Sequence, residues 1–228
     1  MTAQIKLERE AHIAKLTISN PPANTWTLES LNQLKELAIE LSNDRSIYAL
    51  VLTGEGEKFF SAGADLNNFA SGDKSQAADM AFAFGEAFEA LSAFDGVSIA
   101  AINGYAMGGG LEVAMACDIR IAEEQVQMAL PEASVGLLPC AGGTQNLTAL
   151  VGEGWAKRMI LCGERVTAER AEKNWFSRRS GGERSSTGSG YGTCTACCEP
   201  IAEIRVCMQN AYSRPTQPNS RGRIGLGA

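Results

Sequence analysis

Between residues 12 and 19 the chain alternates apolar and polar positions, and Ala14, Leu16 and Ile18 fall on one face. A period of two predicts a strand with one buried face. The turn-rich stretch NPPANTW at 20–26 interrupts it. From there the spacing lengthens, with apolar residues at Leu28, Leu31, Leu34, Leu37, Ala38 and Leu41. That period predicts a helix over 28–41, with Thr27 as its N-cap. YALVLT at 48–53 predicts a short apolar strand closed by GEGE, and residues 75–94 return to helical spacing with Phe84, Phe88 and Leu91. SIAAI at 98–102 predicts another buried strand, the glycine run at 108–110 leads into a helix through Ala116, and DIRIA at 118–122 predicts a further strand. Short strands alternating with helices predict layered α/β packing but leave the topology open.

The pattern stops near residue 173. Leucine is frequent before that point and appears once after it, at Leu226; runs such as RRSGGERSSTGSGYG and RPTQPNSRGR take over. Seven arginines against three glutamates give residues 174–228 a charge of +4, so the net −6 of the chain leaves −10 on residues 1–173. A tail so poor in apolar residues buries too little surface to offset chain entropy, and is expected to be poorly ordered.

Composition narrows the function classes. With 228 residues, 45% hydrophobic and 20% charged, the chain reads as globular. Its acidic balance disfavours nucleic acid and anionic membranes as partners. No apolar run reaches the roughly 20 residues of a membrane span, and MTAQIKLERE lacks the apolar core of a secretion signal, so a cytoplasmic location is expected. Cys117, Cys140 and Cys162 stand singly in apolar or glycine-rich surroundings, where buried free thiols are expected. Cys194, Cys197, Cys198 and Cys207 of the tail have a C-x-x-C-C spacing only loosely compatible with zinc, and no metal is expected.

Three segments concentrate the candidate chemistry: FFSAGADL at 59–66, INGYAMGGGLEVAMACDIRIA at 102–122 and LPEASVGLLPCAGGTQNL at 130–147. GGG followed by LEVAMA reads as a tight turn entering a helix, where outward-pointing amides and small residues admit a ligand. Glu112 falls in the first helical turn, a position equally suited to a carboxylate stabilised by the helix dipole or to one that does chemistry. Glu132, between Leu130 and Val135, reads either as a solvated loop residue or as a carboxyl whose pKa burial would raise, which suits proton transfer.

Together the segments resemble the enoyl-CoA hydratase/isomerase, or crotonase, superfamily. The likeness runs from about residue 4 to about residue 173 and includes the NPP turn, AGADL, NGYAMGGGLE, the PE step and AGGTQ. The resemblance implies an α/β spiral of ββα repeats over 1–173. It implies an oxyanion hole made by the amides of Ala64 and Gly109, and an acid/base pair at Glu112 and Glu132. Contacts to the coenzyme A thioester are then expected along Ala62, Gly63, Asp65 and Leu66, and at Met107 and Gly108, with Asp65 fixing the turn and Leu66 and Met107 lining the pocket. Hydratases resembling this chain carry glutamate at both acid/base positions, while related isomerases usually keep one. Hydration of a 2-trans-enoyl-CoA to a 3-hydroxyacyl-CoA is therefore the expected reaction, and double-bond isomerisation the alternative. The expected partner is an acyl-CoA substrate, with no cofactor beyond the substrate's own coenzyme A, and a homotrimer or dimer of trimers is implied for a chain whose C-terminus is family-like. Dehalogenase-like relatives use an Asp assisted by a His; the only histidine here, His12, lies far from the motifs in sequence and reads as structural.

After GERVTAERAEK the family continues with a Gly-Leu-Val strand and alanine-rich helices, whereas this chain reads NWFSRRSGG. Codons chosen to spell NWFSRRSGG spell IGLVEEVV when the first base is dropped. A shifted frame near Lys173 would account for the departure. The helices that cover the acyl end of the pocket in the family are then expected to be missing, leaving the chain as an inactive acyl-CoA binder or a misfolded product unless the natural frame differs.

Overall fold

The alternation at 12–19 folds as β2 (Ile13–Ser19), with Ala14, Leu16 and Ile18 at 0–1% exposure. It is preceded by β1 (Gln4–Glu10), which pairs with it antiparallel from Gln4 opposite Ser19 to Glu10 opposite Ile13. The periodicity did not predict β1, because Lys6, Glu8 and Glu10 are exposed on a strand that, among the described residues, forms the edge of its sheet. The computed structural model describes residues 4–66, 72–173 and 178–179. The chain divides into two units, Met1–Ser185 and Ser186–Ala228, and the second lies wholly outside the described residues.

The expected repeat is visible in the element order. After β1, β2 and α1 (Leu28–Asn43) come β3 (Ala49–Gly54), β4 (Phe59–Ser61) and α2 (Lys74–Ser92). Next are β5 (Val97–Ile102), β6 (Tyr105–Met107) and α3 (Gly109–Ala116), then β7 (Ile119–Ala122), β8 (Gln127–Ala129) and α4 (Gly143–Leu161). In the last three repeats the first strand enters one sheet and the second strand another. The larger sheet has the order β1-β2-β3-β5-β7-β10 and the smaller β4-β6-β8-β9, where β9 is Val166–Thr167 and β10 is Arg178–Arg179. From β2 through β7 the strands of the larger sheet run parallel, as do β4, β6 and β8. Each ββα unit thus stacks on the previous one, which is the spiral the resemblance implied.

Burial explains why these segments take these forms. Strand β3 is almost wholly buried, as expected for a parallel strand covered on both faces, and so reads as an apolar run rather than an alternation. Helix α1 buries Leu31, Leu34, Ala38 and Leu41 and starts at Thr27, whose hydroxyl accepts from the Ser30 amide while the Ser30 hydroxyl accepts from the Thr27 amide. Helix α4 went unpredicted because its apolar residues do not share one face and Gly152 breaks it, at φ 78° and ψ 161°.

Two thiols depart from expectation: Cys117 is buried, but Cys140 and Cys162 are exposed. Cys140 follows Pro139 in an irregular connection ahead of α4, and Cys162 caps the C-terminus of α4, so neither side chain lies on a buried face. Of the expected tail, Arg178 and Arg179 pair with Ile121 and Ala122 of β7; the remainder, including its four cysteines, lies outside the described residues. Among the described residues no helix is long and apolar enough to cross a membrane. Replacing Thr27 by alanine removes the cap of α1 and is expected to lower the unfolding free energy by ~1 kcal/mol in a denaturant titration.

Candidate active site

Three connections that follow small-sheet strands meet at one place. The first is Ala62–Leu66, after β4. It is clamped from behind by the turn ahead of α1: Asn24 donates from Nδ2 to the Glu55 and Phe59 carbonyls at 2.9 and 2.8 Å. The buried Ser61 hydroxyl donates to the Asn24 carbonyl at 2.7 Å and accepts from the Gly63 amide at 3.2 Å, and the Ala62 amide donates to the Ala23 carbonyl at 2.9 Å. Trp26 forms a parallel bridge with Ala64, donating to the Gly63 carbonyl at 2.8 Å and accepting from the Asp65 amide at 3.2 Å. In such a bridge both bonds go to the residues flanking Ala64, so the amide of Ala64 itself points to the other side. It has no partner among the described residues.

The second connection is the glycine run. Gly108 caps α3, its carbonyl accepting from the Leu111 and Glu112 amides at 2.8 and 3.0 Å. Gly109 is the first residue of the helix, so its N–H has no intrahelical acceptor, and it finds none elsewhere among the described residues. The two connections touch backbone to backbone. A Cβ built on Gly63 would lie 2.7 Å from the Met107 carbonyl oxygen and 3.1 Å from the Gly109 nitrogen. Gly63 also has φ +88°, so only glycine fits there without strain. The amide-bearing turns expected at Ala64 and Gly109 are therefore immediate neighbours.

The third connection carries Glu132 on a 3-10 turn, Glu132–Val135, that follows β8. One carboxylate oxygen, Oε1, lies 3.0 Å from where a Cβ on Gly108 would sit, which places Glu132 over the glycine turn. The other, Oε2, is buried and has no hydrogen-bond partner among the described residues. Burial first, and then the charge of Glu112, push the Glu132 carboxyl up to about 7. Glu112, only 2% exposed, is held differently. Its Oε1 accepts from the amides of Ala141 and Gly143 at 2.8 and 2.9 Å. Burial raises its pKa, and those two amides oppose the rise by favouring the carboxylate.

Cys140 adjoins both acids. The residue as a whole is exposed, yet its thiol is pushed up to about 11, by burial and then by the charges of Glu112 and Glu132. Met107 is half-buried at the end of β6, while Leu66 is 55% exposed, as are Val135 at 53% and Leu138 at 69%. These apolar side chains border the turns that carry the acids and amides. His12 stacks on Tyr48 at 4.6 Å with Nδ1 2.8 Å from the Ser46 carbonyl oxygen. It lies in the turn just ahead of β2, at the opposite end of the strand from the connection that leads toward the site.

Asn24, Ser61, Ala141 and Gly143 position the site but were not singled out in the sequence. AGGTQ was legible as a motif, but nothing in it reveals that its amides grip Glu112, since the pair is separated by about thirty residues of chain. Among the described residues no cluster of His, Cys, Asp or Glu could hold a metal ion.

The ββα spiral thus brings two amides without partners among the described residues together with a buried carboxyl, Glu112, and a half-buried one, Glu132. The enoyl-CoA hydratase/isomerase family matches residues 8–175, and the chain belongs to it. It is 38% identical over 166 residues to the short-chain-enoyl-CoA hydratase of Clostridium acetobutylicum, a match that covers 72% of this chain and 64% of that protein. It is also 38% identical over 176 residues to the 2,3-dehydroadipyl-CoA hydratase of Escherichia coli, covering 75% of this chain and 66% of the relative. The chain thus spans just under two thirds of the length of these relatives. Among solved structures it is similar to Pseudomonas aeruginosa DspI, with 56% identity, a TM-score of 0.79, and 93% of this chain and 83% of that one covered. An enoyl-CoA hydratase from Bacillus anthracis superposes with a TM-score of 0.78 at 30% identity, covering 91% and 76% of the two chains.

Two outcomes follow from this geometry. Gly63→Ala forces a side chain into the Met107 carbonyl at an unfavourable φ, and is expected to cost about 2 kcal/mol or more in denaturant unfolding. Glu132 titrates near 7 in the fold against an ordinary 4.5, so between those values the folded chain binds more protons than the unfolded one, and stability falls as pH rises through that window. The melting temperature is expected to rise as pH drops from about 8 to about 6, and Glu132→Gln is expected to flatten that rise.

Proposed function

We propose that this chain adds water across the double bond of a 2-trans-enoyl-CoA, giving the 3-hydroxyacyl-CoA. The observation that carries this reading is the unequal treatment of the two glutamates. Glu112 has two amides on one oxygen, which favours its carboxylate, whereas Glu132 has a buried oxygen without a partner and a carboxyl held near 7. One is suited to take a proton and the other to give one.

The thioester oxygen sits between the amides of Ala64 and Gly109. Glu112 removes a proton from a water molecule as its oxygen attacks the β-carbon. The π electrons move to the α-carbon and the thioester oxygen, and the two amides stabilise the enolate, each contributing on the order of 3–4 kcal/mol in the transition state. Glu132 then protonates the α-carbon, and transfer of the proton held on Glu112 back to Glu132, directly or through solvent, restores both acids. Atoms balance as substrate plus water, so no redox cofactor is required. The backbone of Ala62–Leu66, with Met107 and Gly108, borders the thioester and the pantetheine arm.

Supporting this reading are the two hydratase relatives named above and the glutamates at both acid/base positions. A second reading, binding of acyl-CoA without turnover, is favoured by the departure from the family pattern after Lys173. Calorimetric binding of butyryl-CoA by a protein that leaves crotonyl-CoA unchanged would select it.

Mixing the protein with crotonyl-CoA is expected to bleach the ultraviolet band of the conjugated thioester. Glu112→Gln and Glu132→Gln are each expected to cut turnover by about 10²–10⁴-fold. Full turnover in both variants would remove the assignment, and conversion of a 3-enoyl-CoA without uptake of solvent oxygen would favour an isomerase. With Glu132 as the acid, kcat/KM is expected to fall as pH rises through about 7.

A further inference from the structure

The rear of both amide-bearing turns rests on one line of aromatic rings. Trp26 grips the first turn through its backbone, bonding on either side of Ala64. Its ring is fully buried and its indole Nε1 has no partner among the described residues, so it is packing there that orients the ring. That ring meets Phe88 edge to face, with centroids 5.8 Å apart at 68°. Phe88 meets Phe84 in the same manner, 5.5 Å apart at 82°. Phe84 in turn fills the space that a side chain on Gly109 would need: a Cβ there would lie 2.7 Å from its Cε1 and 3.2 Å from its Cζ.

We infer that Phe84, acting through Phe88 and Trp26, is a positioning residue that sets the spacing of the Ala64 and Gly109 amides. This rests on the reading of those amides as donors to the thioester oxygen. Phe84 and Phe88 are four residues apart on α2 and share one face, so a single helix braces both turns. Aromatic rings have few rotamers and resist compression, and at Gly109 the ring edge presses on backbone with no side chain between to absorb a displacement. The value of paired donors depends on sub-ångström placement, so a softer residue at 84 loosens the pair without touching substrate.

The carbonyl stretch of butyryl-CoA labelled with ¹³C at the thioester carbon, read by infrared difference spectroscopy on the full chain, tests this directly. Bound to the unmodified protein, the band is expected to move to lower frequency. In Phe84→Leu most of that movement is expected to vanish, with kcat for crotonyl-CoA reduced ~10-fold or more. KM is expected to stay within about 3-fold, because the groove that holds the coenzyme is untouched. Leu91→Val, a buried change on the same helix outside the ring line, is expected to lower the melting temperature while keeping the band shift. Should Phe84→Leu not fold, Phe88→Leu tests the same line. A folded Phe84→Leu or Phe88→Leu with the full band shift would overturn the inference. An unshifted band in the unmodified protein would instead defeat the reading of the amides as donors.

Discussion

Where Gly63 meets Met107 and Gly109, two stretches of backbone touch with no side chain between them. Every other feature of the site depends on that approach. The connection after β4 and the one after β6 belong to successive ββα units, and stacking those units in register brings equivalent connections side by side. Each connection contributes one amide that secondary structure leaves unused: at Ala64 because the Trp26 bridge bonds its neighbours, and at Gly109 because a helix begins there. Clustered N–H groups of this kind stabilise developing negative charge without side-chain reorganisation.

The acids follow from the same stacking. Glu112 lies one turn into α3, so the approach that sets Gly109 also sets Glu112, and the amides ahead of α4 complete its environment. Glu132 arrives from the next unit along the smaller sheet and lies over Gly108. Burial and the charge of Glu112 raise the Glu132 carboxyl, while amide hydrogen bonds favour the Glu112 carboxylate, so the two are not held alike. Glu112 has two amide donors for one oxygen, and Glu132 has an oxygen with none.

Much of this was legible in the residues. The period-two pattern of Ala14, Leu16 and Ile18, the helical spacing from Leu28 to Leu41 and the Thr27 cap all reflect local physics, and each element formed where expected. The glycine motifs marked the connections because close backbone approach leaves little choice of residue. The fold of β1 and α4 was not legible, since an edge strand rich in charge and a helix broken at Gly152 carry weak periodicity. Nor was the clamp on Glu112: Ala141 and Gly143 act through backbone amides, which leave no chemical trace in residue identity. Phe84 and Phe88 were visible as core positions, but their contact with the amide-bearing turns exists only in three dimensions. The exposure of Cys140 as a residue was misjudged because a Pro-Cys-Ala-Gly-Gly stretch looks like a packed turn, whereas the backbone that follows it is what the site employs.

A crystal structure of the protein with a saturated, unreactive acyl-CoA such as hexanoyl-CoA is the most direct measure of the central claim. The thioester oxygen is expected at about 2.7–3.1 Å from both the Ala64 and Gly109 nitrogens, with the Glu112 and Glu132 carboxyls facing the α- and β-carbons. A thioester bound with its oxygen away from either amide, or with either carboxyl turned from those carbons, would contradict it.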